Sequence, residues 1–410
     1  PSYSLGADMA NKDLKWETTI TRNIGVDFGF FNSRLTGTID AYWNTTKDLL
    51  MKTAIPGITG FTSTYANVGQ TSNKGIEIAL QGVLVKTRDW NVTAGFNINF
   101  NRGKVDKLAD NVTGLYGTEW ATSSTFPKSD YVLKEGRPVG LVRGLTADGF
   151  YTTDDFTYEN GVYILKEGVA DVSSAVFPNY HLHNGMNERP AGQLAYPGMA
   201  KFKDLNDDGI INDDDVDVIG DMTPVHTGGF NINATYKNFD LGLYFNWSYG
   251  NEIYNVNKLA ALYGYKEGAV YENKLSIVKD CYKIYDVVNG ELVALTTPEQ
   301  LNAANANAKL PLAYSENGYV STLGIEDGSY LRLNTLTLGY TLPKSMLQKA
   351  GISNLRVYGS IYNVFTITGY SGIDAEVSTS TSTKTYPQLG MDWGTYPRAR
   401  SFVLGVNLSF

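Results

Sequence analysis

The residues best suited to bind a ligand form one acidic segment, 204–215, whose order of residue types matches the twelve-residue calcium loop. A calcium ion prefers six to eight oxygen ligands, and a glycine at the sixth position lets the chain turn sharply around the ion. Gly209 occupies that position. The predicted ligands, at loop positions 1, 3, 5, 7, 9 and 12, are Asp204, Asn206, Asp208, the backbone carbonyl of Ile210, Asn212 and Asp215.

This segment is predicted to hold Ca²⁺ as a structural ion that stiffens a long loop. No amphipathic helix precedes it, and Val216, Val218 and Ile219 after it are typical of a strand, so a regulatory helix pair is not expected. Asp215 at the twelfth position is shorter than the usual glutamate and resembles the dockerin version of the loop. The alternative is an acidic surface turn that binds no metal.

The other residues that could bind a metal or take part in catalysis are isolated from one another in the sequence. His181 and His183 would share one face of a strand, but no cysteine and no third histidine lies near them in the sequence, which favours an exposed loop. The sequence contains no phosphate-binding glycine loop, nucleophile elbow or Cys/His dyad, so no catalytic residue and no enzymatic activity are predicted. Five loop aromatics are of a kind that stacks on sugar rings or packs between loops: Tyr116, Trp120, Tyr263, Tyr265 and Trp393.

The elements that carry these residues are predicted from apolar residues that recur at every second position. Side chains on a strand point alternately to its two faces, so each run has one apolar and one polar face. The runs reach about ten residues, the length of a tilted membrane strand, whereas soluble strands more often have about five or six. They span residues 24–30, 35–43, 76–80, 90–100, 230–236, 241–249, 330–342, 355–365 and 402–410, with weaker candidates near 131–145 and 275–290.

Composition and charge fit an all-β membrane protein. The 410 residues include 28 Tyr and 42 Gly but one Cys, which suits aromatic girdles, many turns and a fold without internal disulfides. No run of about 18 apolar residues occurs, which excludes a transmembrane helix. The net charge of −8 argues against a nucleic-acid partner. A soluble β-sandwich, which is also built from half-buried strands, is the alternative fold.

The connections between the predicted strands differ strongly in length. Turns of two to four residues alternate with long segments near 46–72, 106–130, 145–225, 255–325 and 368–398. In outer-membrane barrels the short turns lie on one side and the long loops are extracellular. Short helices are predicted at 298–308 and 343–350. Because the sequence begins at Pro1 without a signal peptide, we expect a fragment or a processed product.

A series of short blocks, in order along nearly the whole chain, resembles the SusC/RagA branch of the TonB-dependent transporters. Any one block is weak, but the series is specific. The blocks are residues 14–19, 23–28, 46–50, 67–69, 73–77, 197–204, 218–220, 228–229, 236–240, 326–333, 337–343, 363–365 and 396–402. The departures from the family pattern lie mainly in the loops, so they leave the ligand open.

The resemblance implies a transmembrane antiparallel β-barrel of 22 strands in the outer membrane of a Gram-negative bacterium. Residues 1–410 would form its C-terminal half, with extracellular loops at about 106–130, 145–225, 255–325 and 368–398. The plug and the TonB box would lie outside this chain. The implied function is TonB-dependent import of oligosaccharides or peptides, with a SusD-like surface lipoprotein that closes over the barrel as a lid.

The physical chemistry of the membrane adds one condition. An open half-barrel would expose unpaired edge strands to hydrocarbon, so either another chain or segment completes the barrel or the strands close into a smaller one. Two other functions remain as alternatives. One is a soluble, calcium-stabilised β-sandwich that binds glycans at a cell surface. The other is a secreted polysaccharide-degrading enzyme.

Overall fold

The computed structural model describes residues 8–108, 114–177, 189–262, 274–313, 318–348, 351–379 and 388–410. Its main element is an antiparallel sheet of nine strands, each paired with its neighbour in sequence order. The strands are β1 (Thr18–Phe30), β2 (Leu35–Lys47), β3 (Gln70–Lys86), β4 (Trp90–Lys107), β5 (His226–Tyr236), β6 (Phe239–Tyr249), β7 (Tyr330–Thr341), β8 (Asn354–Thr368) and β9 (Ser401–Ser409). Every strongly predicted strand is therefore confirmed.

The register aligns the apolar faces of neighbouring strands into one continuous surface. Val26 lies opposite Ile39, which lies opposite Ile78, which lies opposite Ile98. This surface is left bare: Val26 is 60% exposed and Phe402 is 72% exposed. Among the described residues no second sheet covers it, so the β-sandwich alternative is wrong. Contact with lipid is the environment that such a face requires.

Aromatic side chains border the apolar surface at both ends of the strands. Near the short turns, the Trp90 ring lies 4.4 Å from the Tyr236 ring. Near the long loops, the Phe100 ring lies 5.5 Å from the His226 ring. The ten residue-to-residue steps from Trp90 to Phe100 span about 33 Å of strand, or about 25 Å of height at the usual barrel tilt. That height matches the apolar band of an outer-membrane barrel.

Many glycines of the sheet lie within strands, under aromatic rings of the neighbouring strand. Tyr42 is the register partner of Gly75, and a Cβ at Gly75 would lie 2.5 Å from its Cζ atom. Tyr358 is the register partner of Gly405, where a Cβ would lie 2.5 Å from its hydroxyl oxygen. The expectation that glycine marks turns was therefore incomplete, because part of the Tyr and Gly content forms these cross-strand pairs.

The sheet is open among the described residues. The first strand, β1, pairs there only with β2, and β9 pairs there only with β8. The alternative of a smaller barrel, closed by these nine strands, is therefore wrong. No helix among the described residues is long and apolar enough to cross a membrane.

The long connections form a layer with its own short elements and core, which we call the loop layer. Its helices are α1 (Val256–Leu262) and α2 (Pro298–Asn305), and α3 (Lys344–Leu347) lies in the turn before β8. Both predicted helices are confirmed, although residues 349–350 lie outside the described part. Short strands occur at Asp8–Met9, Leu50–Ala54, Ser63–Asn67, Leu115–Gly117, Thr125–Phe126, Tyr131–Leu133, Leu141–Gly144, Ala147–Phe150, Phe156–Glu159, Val162–Leu165, Asp171–Val172, Ala200–Phe202, Ile210–Ile211, Asp217–Asp221, Glu252–Asn255, Tyr285–Val288, Glu291–Ala294, Gly318–Tyr319, Ile325–Asp327 and Met391–Asp392.

The main hydrophobic core lies in this loop layer and not behind the sheet. Its fully buried members include Leu145, Tyr151, Tyr196, Ile211 and Tyr254. The weaker candidates near 131–145 and 275–290 form short strands and a 3₁₀ turn here, so they are not membrane strands. The predicted connection at 46–72 is also shorter than expected, because its ends continue β2 and β3. The loops therefore present a packed and preorganised surface.

Candidate functional site in the loop layer

The acidic segment 204–215 folds as a loop held by hydrogen bonds between its side chains and its own backbone. The Asp204 carboxylate accepts the Gly209 N–H at 2.7 Å, and the Asp208 carboxylate accepts the Ile210 N–H at 2.8 Å. Gly209 has a φ of +85°, the left-handed conformation that favours glycine. The glycine at the sixth position is thus required by the turn that the sequence predicts.

Asp215 closes this loop by accepting hydrogen bonds from two of its backbone N–H groups. Its side chain is fully buried, with Oδ1 accepting the Leu205 N–H at 2.7 Å and Oδ2 accepting the Asn212 N–H at 2.8 Å. Ile211, between them, belongs to the main core and pairs with Val172. The loop is therefore fastened to the loop layer at its centre.

The donor set fits calcium in type and order, but its carboxylates are engaged by the backbone. The Asp208 N–H lies 3.3 Å from an Asp204 oxygen and 3.2 Å from the Asn206 oxygen, so these two oxygens converge. Among the described residues, however, no group of three or more His, Cys, Asp or Glu side chains is placed to hold a metal ion. Calcium binding at the six predicted residues therefore stays a prediction.

The predicted loop aromatics have different environments. Trp120 packs partly buried against the core, where its backbone N–H donates to the buried Asp130 carboxylate at 2.8 Å. Trp393 is 47% exposed, with its ring 6.4 Å from that of Trp120. Tyr116 is exposed and lies 4.8 Å from the Arg143 guanidinium. Four further candidates, Tyr263, Tyr265, His181 and His183, lie outside the described residues.

A cleft of about 540 Å³, lined by both polar and apolar side chains, opens beside α1 and was not predicted from the sequence. Asn257 spans it, donating to the Asp392 carbonyl at 3.2 Å and accepting the Gly394 N–H at 2.9 Å. The exposed side chains of Ile373 and Tyr396 form part of its rim. Amide, carboxylate and aromatic groups of this kind can bind a sugar or a peptide backbone.

Glu326 joins this cleft to the segment after β8. Its carboxylate accepts the Ser371 hydroxyl and backbone N–H, both at 2.9 Å, and pairs with Lys258 at 3.1 Å. Burial alone would raise the pKa of Glu326, but the bonds from Ser371 and Lys258 outweigh it and lower the pKa. The ionised carboxylate therefore holds three segments together.

Arg332 makes a second such junction on β7. The side chain is 3% exposed and forms ion pairs with Asp374 and, at 3.0 Å, with Glu376. It also donates to the Thr366 hydroxyl at 3.0 Å. Arg398 pairs with Glu376 at 2.9 Å, so the network links blocks 326–333 and 396–402 of the family resemblance. These charged residues position the loop after β8 over the sheet.

Cys281 offers a chemical probe of the loop-layer core. Burial, and then the nearby Asp280 carboxylate, raises the pKa of the Cys281 thiol to about 11. Because the thiolate is the reactive form, we expect almost no labelling by iodoacetamide at pH 7.5 in the folded protein. Mass spectrometry should show complete labelling after denaturation. Rapid labelling of the native protein would contradict the buried position.

Comparisons with known proteins match this fold along the whole chain. The family model described as TonB dependent receptor-like, beta-barrel, matches residues 1–196. TonB-dependent receptor P3 of Formosa agariphila is 30% identical over 408 residues, covering 98% of this chain and 35% of that protein. TonB-dependent receptor SusC of Bacteroides thetaiotaomicron is 29% identical over 417 residues, covering 100% of this chain and 33% of that protein. The chain thus spans about a third of the length of these curated relatives.

A solved structure, that of the RagAB peptide transporter, is similar with a TM-score of 0.68 and 25% sequence identity. The match covers 98% of this chain and 36% of that chain. The resemblance to the SusC/RagA branch is confirmed by these matches, and the family consists of receptors and transporters, not enzymes. The chain belongs to the TonB-dependent receptor family, as part of a β-barrel in the bacterial outer membrane.

Proposed function

We propose that the protein containing this chain imports oligosaccharides or peptides across the outer membrane with energy from TonB. The observation that carries the proposal is a sheet with a bare apolar face, whose long connections form a packed loop layer with a cleft of mixed polar and apolar lining. The similar SusC and RagAB proteins support this function. The preformed cleft supports capture of a polar ligand on the loop side.

The rest of the barrel would pair with the two open edges, β1 and β9. Backbone groups that face hydrocarbon without a partner cost several kcal/mol each, so an open sheet is not stable in a membrane. The proposed assembly is a 22-stranded barrel in which further segments of the receptor supply the other strands, the plug and the segment that contacts TonB.

A SusD-like lipoprotein is the proposed partner on the loop side. The loop layer is packed around its own core, so it offers a preorganised docking surface. Exposed side chains at the rim of the cleft, among them Ile373 and Tyr396, would contact the lid or the ligand beneath it. In this arrangement the lid and the cleft together enclose the ligand.

Uptake by intact cells tests the proposed function. A strain that lacks the receptor gene should lose uptake of the oligosaccharide or peptide that the wild type imports, and a strain without TonB should lose it equally. Fluorescently labelled oligosaccharides and peptides distinguish the two ligand classes. Uptake that persists in both strains would contradict the proposal.

Calcium is proposed as a structural ion of the loop layer. At a concentration one hundred times the dissociation constant, a ligand stabilises the folded state by about 2.7 kcal/mol. We therefore expect chelation to lower the melting temperature of the loop layer in the full-length receptor and calcium to restore it. Asp204→Ala should abolish the calcium effect, whereas Asp213→Ala, a nearby exposed position, should keep it. A melting temperature that is independent of millimolar calcium would contradict the prediction.

A further inference from the structure

A row of three basic residues and one tryptophan crosses four neighbouring strands at the loop end of the sheet. In the register, Arg22 lies opposite Trp43, Trp43 opposite Lys74, and Lys74 opposite Arg102. We call these four residues the boundary row. Arg22, Lys74 and Arg102 are all exposed. The row therefore places three positive charges on one surface, with Lys74 and Arg102 on adjacent strands and Trp43 between Lys74 and Arg22.

The boundary row faces the lipid side of the sheet. The outward-facing row directly before it consists of Ile24, Ala41, Ile76 and Phe100. Along β3 and β4 the pairing has no bulge between these apolar residues and the boundary row. Because side chains alternate, residues two apart point to the same face. The basic residues thus stand where the apolar band ends.

The two adjacent charges of the row, Lys74 and Arg102, repel each other in the absence of an anion. Like charges directly opposite on neighbouring strands destabilise a sheet, and Lys74 and Arg102 are such a pair. No described carboxylate forms an ion pair with either of them. The Arg102 guanidinium is held by the Pro224 and Val225 carbonyls, both at 3.0 Å. Neutral carbonyl acceptors fix its position and leave its charge uncompensated.

A cleft of about 700 Å³ lies against this row, lined by Trp43, Lys74, Arg102 and Lys104. Lys104 pairs with Asp106 at 3.2 Å, and Asp106 also accepts the Ser72 hydroxyl. The other carboxylate at the cleft, Asp221, accepts the Thr223 N–H at 2.9 Å.

Trp43 lines this cleft and is a residue type suited to the lipid head-group region. Its side chain is exposed and lies between Arg22 and Lys74 in the row. Tryptophan is enriched where a membrane protein meets the head-group region, because its ring is apolar and its N–H is polar. The cleft thus combines cationic side chains with an indole, next to the row where the apolar band ends.

We propose that the boundary row binds the phosphate group of an outer-leaflet lipid, whose acyl chains lie on the apolar rows below. The phosphate oxygens would accept charge-assisted hydrogen bonds from Lys74 and Arg102 and offset their repulsion. The proposed ligand of the boundary row is a membrane lipid and not the imported nutrient. It rests on the placement of the sheet in the membrane and is independent of which ligand is imported.

Native mass spectrometry of the purified, delipidated full-length receptor tests this proposal. The probes are monophosphorylated lipid A, the same lipid without its phosphate, and inorganic phosphate alone. We expect the phosphorylated lipid to bind at least about tenfold more tightly than the dephosphorylated one, with binding weakened by salt. The variant with Lys74→Gln and Arg102→Gln should lose about tenfold or more in affinity.

Matched variants separate this effect from misfolding. Lys237→Gln removes one charge in the turn at the opposite end of the sheet and should bind as the wild type does. Lys74→Arg keeps the charge and should also bind. Each variant must retain the heat-dependent gel shift of a folded barrel. Equal binding of both lipids, an unchanged double variant, or equal affinity for inorganic phosphate alone would each overturn the proposal.

Discussion

Replacing Arg332 with methionine is expected to destabilise the loop layer by about 3–5 kcal/mol, because it leaves partly buried carboxylates without their cation. In the folded protein Arg332 is bonded to Asp374, Glu376 and Thr366. Its loss should release the segment 369–379 and expose it to protease. Limited proteolysis with mass spectrometry, together with the melting temperature of the full-length receptor, measures the effect.

Two further variants identify charge as the cause. Arg332→Lys keeps one charge but not the planar fork that reaches both acids, so it should recover only part of the lost stability. Adding Asp374→Asn and Glu376→Gln to Arg332→Met removes the stranded charges and should restore part of the stability. If Arg332→Met unfolds at the wild-type temperature, the network does not hold the loop.

The same network predicts that the stability of the folded protein depends on pH in the acidic range. Burial alone would raise the pKa of Asp374, but the bonds from the Glu376 N–H and from Arg332 lower it below its ordinary 3.8. A carboxylate with a lowered pKa stabilises the fold fully above its ordinary value and loses that contribution as the pH falls through the folded-state pKa. Wild-type stability should therefore fall below about pH 4. The fall should be smaller in Arg332→Met, as thermal unfolding at stepped pH would show.

The barrel strands were predictable because the membrane imposes a simple pattern on them. One face must be apolar for about ten residues, and alternation in one sequence records that requirement. The pattern does not mark where a strand ends. Strand β2 continues through Thr45 to Lys47 and β3 begins at Gln70, because these polar residues pair beyond the apolar band.

The loop-layer core was not predictable in the same way. Its strands have two to five residues, too few to show a period. Its contacts join distant parts of the chain: the Tyr131 hydroxyl donates to the Leu389 carbonyl, 258 residues away. Tyrosines such as Tyr151 and Tyr196 are also ambiguous, since the same residue type borders the membrane in the strands. Only the three-dimensional packing separates the two roles.

In the candidate site, too, local features were predictable from the sequence and contacts between distant segments were not. The turn around Gly209 is local, so residue order was sufficient to predict its geometry. The bonds of Glu326 to Ser371 and of Arg332 to Glu376 join residues 45 and 44 positions apart, and the sequence does not show which distant residue a single charged side chain will contact. Arg332 stands on β7 as one polar residue among several. No local signal marked it as buried.

The variant Asp215→Ala is expected to lower the free energy of unfolding by about 2–4 kcal/mol, because it removes a buried acceptor and leaves two N–H donors unpaired. Those donors are the backbone groups of Leu205 and Asn212. Ile211 lies beside them in the core that also contains Cys281. The rate of Cys281 labelling in the native receptor should therefore rise. Asp214→Ala, an exposed neighbour, should change stability by less than about 0.5 kcal/mol.

The same variant separates the two roles of the loop. The hydrogen bonds that Asp215 accepts form with or without a metal, so the loss of stability measured in chelator reports the closure of the loop alone. If calcium also binds, the cost measured in calcium should be larger by the binding free energy that the variant loses. If Asp215→Ala loses the same stability in chelator and in calcium, Asp215 closes the loop but does not bind calcium. Equal labelling rates for Asp215→Ala and Asp214→Ala would refute the closure itself.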